Sequence, residues 1–586
     1  MYSIKWVWKY IQSYLFGWVW ASIVTVIVAG LFVVSPYIGG LLVDEVIIGG
    51  QDELLLPLLG LMIGSVVLRT VLRYVSQIEF ERISQNVLYQ VREDLYTKLQ
   101  ELDLTFFNTT RVGDIMARMT GDTDAIRHNV AWTYFNALDN VVLFISALIL
   151  MGTIEWRLML SLLVVTPFVG LFTLLLSAQA RHAFYEIRES FSRLNSMVEE
   201  NIGGNKVVKA FANEAYEIKK FDARNEQFKQ ANMDSARISK RYLPIIETFA
   251  GFMSVIAIGL GGWFAITGRM SVGNLVAFTG VIWMLNMPMR NIGNYMNDIQ
   301  RFNSGTIKIR EMLATQPKIP IDKQTKNKRI EGAVEFENVS FAFDDEPDQR
   351  VLNNISFKVE PGQVVGILGE TGSGKSTVVN LISRFIDPTE GRVLIDNEDA
   401  RNWNVIELRT NIAVVMQDVF LFSDTIQNNI AFNEPNTQFE TVEKVARVAD
   451  ASQFIEQLPE KYRTYIGERG SGLSGGQKQR LSLARGLLKD PSILILDDTT
   501  SAVDMETEVK IQEGMKEVSQ QKTTFIIANR ISSIKHADQI LVLSKGNILE
   551  QGKHQELLIK GGAYYQIYKE QLGQSMVEED KDGSSL

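Results

Sequence analysis

The sequence predicts an α-helical six-span membrane domain with long cytoplasmic stalks, followed by an α/β domain that contains a phosphate-binding loop. Apolar residues gather into long runs before about residue 300, and short β-branched strands alternate with helices from Val334 onward. Between a strand and a helix of the second part lies the Gly-rich segment Gly369–Ser376. We predict a membrane domain at 1–317, a linker at 318–332, an α/β domain at 333–575 and a disordered acidic tail at 576–586.

Length and composition restrict the possible classes of protein. The chain has 586 residues, no cysteine, 46% hydrophobic residues and a net charge of −9. It is long enough for several domains, and none of them can be held by a disulfide. The acidic balance argues against nucleic-acid binding. We predict no cleavable signal, because the apolar stretch after Lys5 and Lys9 is long enough to span a membrane and lacks a clear cleavage site.

The membrane domain is predicted from six apolar runs, each close to the roughly 20 residues that cross a bilayer. The runs lie at 15–36, 54–77, 130–152, 158–178, 243–267 and 272–298. The connection 37–53 is acidic and has no Lys or Arg, whereas 78–129 and 179–242 are long, amphipathic and rich in both. By the positive-inside rule, the long connections face the cytoplasm. Only Thr153–Arg157 separates the third and fourth runs.

The Gly-rich segment has the pattern of a loop that binds nucleotide phosphates. It consists of Gly369, Glu370, Thr371, Gly372, Ser373, Gly374, Lys375 and Ser376, and Thr377 continues into a helix. A strand, Val364–Leu368, precedes it, which is the arrangement that directs backbone N–H groups at phosphate oxygens. We expect Lys375 to pair with the terminal phosphates of ATP and the Ser376 hydroxyl to hold Mg²⁺. The alternative is a Gly-rich turn with a surface lysine.

Other candidate residues follow strands of the same domain. A buried strand, Ile493–Leu496, leads into Asp497 and Asp498, where a Mg²⁺ ligand and a water-activating base are needed beside such a loop. Asp497 would hold Mg²⁺ directly or through water. Gln417 follows the strand Ile412–Met416 and could contact Mg²⁺ and the attacking water, while Phe343 could stack on adenine. Taken singly, Gln417 also fits a surface polar residue and Phe343 a core aromatic residue.

Taken in order, these motifs resemble the ATPase domain of ABC transporters. The resemblance includes Gly467–Gly470, Leu473–Gln477 and Ser501–Asp504, and the first half is similar to the six-helix membrane domain of ABC exporters. It implies a head-to-tail dimer with two ATP molecules. Each would be held between the phosphate loop of one chain and the segment Leu473–Gln477 of the other, which we call the signature loop. It also implies stalk tips that dock on the ATPase domains, which we expect near Asp122–His128 and Ala212–Phe221. The residues that would serve the partner's nucleotide are Ser474, Gly475, Gly476, Gln477 and Asp504.

Two positions depart from the family pattern. Asp498 stands where the family has a catalytic glutamate, and Asn529 stands where a histidine is expected after the strand Thr524–Ala528. The ordinary pKa values of aspartate and glutamate differ by only about 0.4, so basicity is a minor factor. Losing one methylene withdraws the carboxylate by roughly 1.5 Å, and a misplacement of about 1 Å can cost on the order of a hundredfold in rate. Asn529 can hydrogen-bond a γ-phosphate but cannot titrate as an imidazole does.

We therefore expect one subunit of a heterodimeric, ATP-driven exporter of a bacterial cell membrane, with Mg²⁺ and ATP as cofactors and the nucleotide-binding domain in the cytoplasm. Its own site would bind ATP and seldom cleave it, while its signature loop would complete a competent site on a second, non-identical half-transporter. This pattern resembles the degenerate subunit of bacterial heterodimeric multidrug exporters. The alternatives are a slow homodimeric transporter, a lipid or peptide exporter, and a regulatory subunit that does not pump.

The substrates are expected to be hydrophobic small molecules that reach the protein from the lipid bilayer. Around the last span, Phe278, Trp283, Met284, Met287 and Met289 are adaptable side chains that suit either a drug cavity or lipid-facing packing. Three ionisable residues lie in or beside the apolar runs, where burial of a charge is costly. They are candidates for substrate recognition, although each also fits a cytoplasmic stalk: Asp139, Glu247 and Arg290.

Overall fold

A computed structural model describes residues 2–321, 329–344, 346–499, 505–519 and 522–572. The chain forms two compact units, Met1–Gln100 with Thr110–Thr315 and Glu101–Thr109 with Gln316–Leu586. Three predicted features fall wholly or partly outside the described residues: Ser501–Asp504, the tail 576–586 and part of the linker 318–332.

The chain up to residue 314 is helical, as the apolar runs predict. In the first unit, buried residues of several helices pack together, including Leu143, Met151, Met253 and Phe278. The helices are α1 (Tyr2–Ile11), α2 (Leu15–Leu31), α3 (Val34–Leu41), α4 (Leu55–Glu101), α5 (Leu104–Thr109), α6 (Val112–Ala117), α7 (Thr123–His128), α8 (Tyr134–Leu163), α9 (Thr166–Gly203), α10 (Asn205–Ala210), α11 (Glu214–Ile266), α12 (Val272–Gly280) and α13 (Ile282–Ala314).

Five helical stretches of the described chain are long and apolar enough to cross a membrane. They are Tyr2–Ile48, Asp52–Glu101, Val112–Leu163, Glu214–Ile266 and Val272–Ala314. The third stretch contains a break, because the backbone at Glu155 leaves the helical region (φ −155°, ψ 100°). Glu155 lies inside the short separator that the sequence predicts between the third and fourth spans. The helical membrane domain is thus confirmed.

The predicted fourth span, 158–178, is divided by a second break. Helix α8 ends at Leu163 and α9 begins at Thr166, with Pro167 in its first turn. Proline lacks a backbone N–H and fits the first turn of a helix, where that donor has no partner. The apolar part of α9 alone is therefore shorter than the other spans, which a count of apolar residues does not predict.

The expected positions of the stalk tips need correction. The Arg127 guanidinium bonds Glu81 and the Arg92 Nε bonds the Met119 carbonyl, so α4 and the returning chain are antiparallel and reverse near residues 102–111. Similarly, Asn201 bonds Glu217, which places the second reversal near 204–213. Asp122–His128 therefore lies beyond the first reversal, in the part of the chain that runs back along α4. Only the first residues of Ala212–Phe221 belong to the second tip. Hydrophobic spacing cannot mark a turn between two helices of the same amphipathic pattern.

The segment Glu101–Thr109 belongs to the second unit. The Asp103 carboxylate accepts hydrogen bonds from the backbone N–H groups of Thr105, at 3.0 Å, and of Lys318. An aspartate before a short helix is a common N-terminal cap. This cap is the sequence signal from which the first tip could have been predicted.

The second unit contains two sheets among its described residues. One is antiparallel, in the order β2-β1-β4-β5, and the other has the order β10-β9-β3-β8-β7-β6. In the second sheet β9, β3, β8, β7 and β6 are parallel and β10 is antiparallel. The strands are β1 (Val334–Ala342), β2 (Arg350–Val359), β3 (Val364–Gly369), β4 (Glu390–Ile395), β5 (Glu398–Asp399), β6 (Ile412–Val415), β7 (Ile493–Asp497), β8 (Thr523–Ile527), β9 (Gln539–Ser544) and β10 (Asn547–Gly552).

Helices cover this parallel sheet, as expected for β-branched strands that are buried on both faces. The helices are α14 (Lys375–Ile382), α15 (Val405–Thr410), α16 (Ile426–Ile430), α17 (Phe439–Val448), α18 (Ser452–Ile455), α19 (Gly475–Leu488), α20 (Met505–Ser519), α21 (His554–Lys560) and α22 (Ala563–Leu572). The carboxyl ends of parallel strands meet at one edge, which is where ligands bind in such sheets. The residues that follow β3, β6, β7 and β8 therefore come together.

Candidate functional site

The Gly-rich loop joins β3 to α14 at the carboxyl edge of the parallel sheet. Gly374 caps α14 in a left-handed conformation, with φ 101°, and Gly372 is also left-handed, with φ 82°. A Cβ on Gly374 would lie 2.5 Å from Cδ2 of Leu352, and a Cβ on Gly369 would lie 2.3 Å from the Leu543 carbonyl oxygen. Glycine is needed at Gly374 for both its conformation and its close contact. The loop therefore presents backbone N–H groups at a helix N-terminus, the arrangement that binds phosphate.

Lys375 lies at the centre of this loop. Its Nζ donates hydrogen bonds to the carbonyl oxygens of Gly369, at 2.6 Å, and Glu370, at 3.0 Å. Burial lowers the pKa of Lys375, while the negative charges of Asp497 and Asp498 act in the opposite direction. The lysine of the loop and the two aspartates after the buried strand thus share one electrostatic environment.

Asp497 and Ser376 form a pair of oxygen ligands suited to a hard cation. Burial raises the pKa of Asp497 and the charge of Asp498 raises it further, whereas Lys375 and a hydrogen bond with the Ser376 side chain lower it. A cation at this carboxylate would offset the cost of its burial. One carboxylate and one hydroxyl fit Mg²⁺, which usually keeps several waters and takes its other ligands from substrate phosphates. Among the described residues, no group of three or more His, Cys, Asp or Glu side chains is arranged to hold a metal alone.

Asp498 is the first residue after β7, where the chain leaves the sheet. Its backbone is left-handed, with φ 48°, and its N–H donates to the Ile527 carbonyl at 2.9 Å. Its Oδ2 accepts two long hydrogen bonds, from Gln417 Nε2 at 3.4 Å and from Asn529 Nδ2 at 3.5 Å. The structure therefore brings together three residues from the ends of three different strands. Gln417 is exposed, and its amide reaches the candidate base, so its position fits both interpretations.

Phe343 is 45% exposed, so it is not the core aromatic residue of the alternative interpretation. Its ring meets that of buried Phe341 edge to face, with 5.0 Å between the ring centroids. Phe341 is paired with Leu352 across β1 and β2, and Leu352 is the residue that contacts Gly374. Phe343 thus has a partly exposed ring just after the end of β1 in the antiparallel sheet. That position suits stacking on a base.

The signature loop, Leu473–Gln477, lies at the exposed N-terminus of α19. The Ser474 hydroxyl accepts from the Gln477 N–H at 3.3 Å, and Gln477 Oε1 accepts from the Ser474 N–H at 2.9 Å. This capping box orders the helix start, so that Gly475 and Gly476 present their backbone to solvent. Two glycines here allow a close approach of another surface to the helix N-terminus.

Arg485 supports the site and was not predicted from the sequence. Its buried guanidinium donates to Phe420 O at 2.9 Å and to Asn429 O at 2.7 Å. These bonds fasten the segment after Gln417 to α16 and α19. Burial lowers the pKa of Arg485, and carbonyl acceptors satisfy its donors. No motif marks this arginine in the sequence, because its acceptors are the backbone oxygens of Phe420 and Asn429 and the side-chain oxygen of Asn429, which lie far from it along the chain.

The candidate residues of the membrane unit separate into different environments. Asp139 is 5% exposed and lies 3.6 Å from Arg73 in an ion pair, at the wall of a cavity that Trp283 and Met287 also line. Phe278 and Met284 are fully buried in the helical core, and the Met289 sulfur is next to Gly170. Glu247 and Arg290 bond each other and are partly exposed. Of the three ionisable candidates, Asp139 is thus the one that faces this cavity.

Comparisons with known proteins agree with this architecture. Residues 19–289 match the ABC transporter transmembrane region, and residues 352–501 match the ABC transporter family. The putative multidrug export ATP-binding/permease protein YgaD of Bacillus subtilis is 34% identical over 90% of this chain and 92% of its own length. The ATP-dependent lipid A-core flippase of Syntrophus aciditrophicus is 34% identical over 86% of this chain and 84% of its own.

A solved structure of a bacterial Atm1-family ABC exporter with ATP bound superposes with a TM-score of 0.78, at 27% identity, over 95% of this chain and 98% of that one. The helical membrane unit and the ATPase unit with its phosphate loop define a half-transporter, and the chain belongs to the ABC transporter family. Within that family it is an ABC exporter, a multi-pass membrane protein with a cytoplasmic ATP-binding domain, consistent with a bacterial plasma membrane. It has an ABC ATP-binding domain and is an ATP-driven exporter, for which ATPase activity is expected.

Proposed function

We propose that this chain is one subunit of a heterodimeric exporter of hydrophobic or amphipathic compounds, with a hydrolysis-impaired ATP site of its own. The signature loop would complete a competent site on a non-identical partner. The name of the relative YgaD, a putative multidrug export protein, supports multidrug efflux as the function. A homodimer with two slow sites is the competing interpretation, and the experiment below separates the two.

The observation that carries the proposal is the environment of Asp498. Aspartate has the shorter of the two acidic side chains. The Oδ2 of Asp498 accepts hydrogen bonds from the amides of Gln417 and Asn529, at 3.4 and 3.5 Å. Both amides are neutral at neutral pH, so Asn529 cannot take up a proton as the histidine of the family pattern could. The side chain of Asp498 is one methylene shorter than that of glutamate, so its carboxylate would reach roughly 1.5 Å less far towards a water at the γ-phosphate. ATP would be held and rarely cleaved.

We propose the following roles for the site residues, as the resemblance to ABC ATPase domains implies. Backbone N–H groups of Gly369 to Thr377 would hold the phosphates, with Lys375 on the terminal ones, and Phe343 would stack on adenine. Ser376, Gln417 and Asp497 would hold Mg²⁺, which supplies charge neutralisation at the phosphate oxygens. Ser474, Gly475, Gly476 and Gln477 would contact the partner's nucleotide, together with Asp504.

The proposed cycle is alternating access. ATP binding at both sites would draw the two ATPase domains together and favour the outward-open state, because ATP binds the closed dimer better than the open one. Hydrolysis at the partner's site would then return the transporter to the inward-open state. ATP at this chain's own site would stay bound and hold the two ATPase domains together, and hydrolysis would take place at the partner's site.

Two substitutions test the division of labour in the purified two-chain transporter. Ser474→Arg should abolish ATPase activity, because the arginine fills the space that the partner's nucleotide needs. Asp498→Asn should leave the activity almost unchanged, since the site that it alters contributes little turnover. The isolated chain should show little ATPase activity. Rapid turnover by this chain alone, or a large loss in Asp498→Asn, would favour the homodimer and refute the proposal.

Vesicles that contain this chain and its partner test for pumping. ATP-dependent, directional dye movement supports drug efflux, whereas ATP binding without movement supports a regulatory subunit. Lipid export is the second candidate, because the relative from Syntrophus aciditrophicus is named a lipid A-core flippase. A lipid exporter should respond to headgroup chemistry rather than to dyes, so ATPase stimulation by a series of headgroups distinguishes it.

A further inference from the structure

Gln571 makes two hydrogen bonds with the backbone that carries Asn529. It lies in the last turn of α22, and its Nε2 donates to the Asn529 carbonyl oxygen at 2.7 Å. Its Oε1 accepts from the Ile531 N–H at 2.9 Å. Both distances are within the usual range for N–H···O hydrogen bonds. The last helix of the described chain thus holds the loop that follows β8.

The backbone of this loop explains why a glutamine fits. Arg530 is extended, with φ −104° and ψ 132°, so the carbonyl of the residue before it and the N–H of the residue after it point to the same side. In a sheet, a neighbouring strand would satisfy this pair. The loop lies beyond the end of β8 at Ile527, and the side-chain amide of Gln571 takes the place of the strand. An amide offers one donor and one acceptor, whereas a carboxylate has no donor and an ammonium has no acceptor.

Helix α22 is itself fixed to the rest of the ATPase unit. The Glu550 carboxylate of β10 accepts hydrogen bonds from the N–H groups of Ala563 and Tyr564, each at 3.0 Å, and so caps the first turn of α22. Tyr564 and Tyr568 are 0% and 2% exposed, and they belong to the same apolar cluster as Ile531. The helix is therefore held at its start and in its middle, and its last turn reaches the loop.

The side chain of Asn529 is held less firmly than its backbone. Its Nδ2 lies 3.5 Å from Oδ2 of Asp498, which is long for a hydrogen bond. The later part of the loop has a second support, because the Ser533 hydroxyl donates to the buried Glu508 of α20 at 2.5 Å. The two backbone bonds of Gln571 therefore act on the part of the loop that places the Asn529 amide.

We propose that Gln571 is a positioning residue for the ATP site. It holds the Asn529 amide at the distance at which this amide can bond a γ-phosphate, and it thereby favours ATP over ADP at this chain's own site. The inference rests on the proposed function, in which this site holds ATP with little cleavage, and on the predicted hydrogen bond between Asn529 and the γ-phosphate.

The test is nucleotide binding to the purified full-length chain in lipid nanodiscs with Mg²⁺. Displacement of a fluorescent ADP analogue measures the dissociation constants of ADP and of β,γ-imido-ATP, which has a γ-phosphate and is not hydrolysed. Gln571→Met keeps the length of the side chain and removes both hydrogen bonds. We expect the preference for the imido compound over ADP to fall about fivefold, the effect of one lost hydrogen bond. The affinity for ADP, which has no γ-phosphate, should stay unchanged.

Three further variants separate positioning from packing. Gln566→Met changes an exposed glutamine of the same helix and should keep the preference of the unmodified protein. Gln571→Glu keeps the shape of the side chain but places an oxygen opposite the Asn529 carbonyl, so it should lower the preference at least as much as Gln571→Met. If the side chain served packing alone, Gln571→Glu would bind like the unmodified protein. Asn529→Ala should lower the preference, and adding Gln571→Met to it should cause no further loss, because both act through one contact.

Equal losses of affinity for ADP and for the imido compound in Gln571→Met would overturn the inference, since the variant would then have damaged the whole site. If Asn529→Ala lowers the preference and Gln571→Met does not, the inference fails and the contact of Asn529 stands. If neither variant changes the preference, the contact of Asn529 with the γ-phosphate is refuted as well. The readout is binding rather than turnover, so a homodimer with two slow sites would refute the proposed function without changing these results.

Discussion

Lengthening the side chain at residue 498 should accelerate hydrolysis at this chain's own site. In Asp498→Glu the backbone stays fixed, because the residue's N–H bonds the Ile527 carbonyl at 2.9 Å. The added methylene advances the carboxylate by about 1.5 Å from its position beside the amides of Gln417 and Asn529, which lie 3.4 and 3.5 Å from Oδ2 of the aspartate. A correction of about 1 Å in reach corresponds to on the order of a hundredfold in rate, or about 2.7 kcal/mol in the barrier.

The assay is single-turnover phosphate release with labelled ATP in the two-chain transporter, with the partner's own base neutralised so that this site alone contributes. Asp498→Asn sets the baseline. Asp418→Glu adds the same methylene to an exposed carboxylate next to Gln417 and should leave the rate unchanged. A rate in Asp498→Glu within about twofold of the unmodified protein would refute the argument from reach, since a hundredfold change is expected.

Other predictions concern the phosphate loop, the metal ligand and the helix contacts. Gly374→Ala should weaken ATP binding by about tenfold or more and lower the melting temperature of the ATPase unit, because its Cβ would lie 2.5 Å from a leucine methyl group; Gly372→Ala, equally left-handed but with open space, should cost only about 1 kcal/mol. Because burial raises the pKa of Asp497, its carboxylate takes up a proton at a higher pH than a free aspartate, and Mg²⁺ affinity should begin to fall at that higher pH. Asp497→Asn should remove this pH dependence, which nucleotide titrations with and without Mg²⁺ measure. In the absence of Mg²⁺, the same raised pKa means that stability from this group is present at low pH and is lost as pH rises through it. Gly273→Ala should destabilise the membrane unit by about 1–3 kcal/mol, because its Cβ would lie 2.1 Å from a backbone oxygen of α3, whereas Gly262→Ala meets nothing within 4 Å and should melt like the unmodified protein in a detergent thermal-shift assay. Equal melting temperatures within either glycine pair would contradict the steric reasoning.

Much of the site was predictable because its residues follow strands directly. The sequence predicts that Asp497, Gln417 and Asn529 come after buried strands, and parallel strands bring such residues to one edge whatever their separation in the chain. The six apolar runs were predictable for a similar reason, since bilayer thickness sets their length. Periodicity does not reveal where a helix ends inside a uniform pattern, which is why the tip near Asp103 and the break before Pro167 were missed.

The sequence also does not predict side-chain contacts that depend on where a side chain points rather than on its residue type. Arg485 looks like any arginine on an amphipathic helix, yet its donors all find carbonyl oxygens. Asp139 was one of three ionisable candidates with equal standing, and its burial and its place in the cavity wall distinguish it from Glu247.

The membership of Glu101–Thr109 in the ATPase unit has a consequence for dissecting the protein. The chain passes between the two units three times, at residues 100, 109 and 315, so no single proteolytic cut releases either one intact. A fragment that starts at Gln316 would lack the Asp103 carboxylate that accepts a hydrogen bond from the Lys318 N–H. Exchange of ATPase domains between relatives should therefore carry the nine-residue insert along with the C-terminal piece, as a two-segment graft.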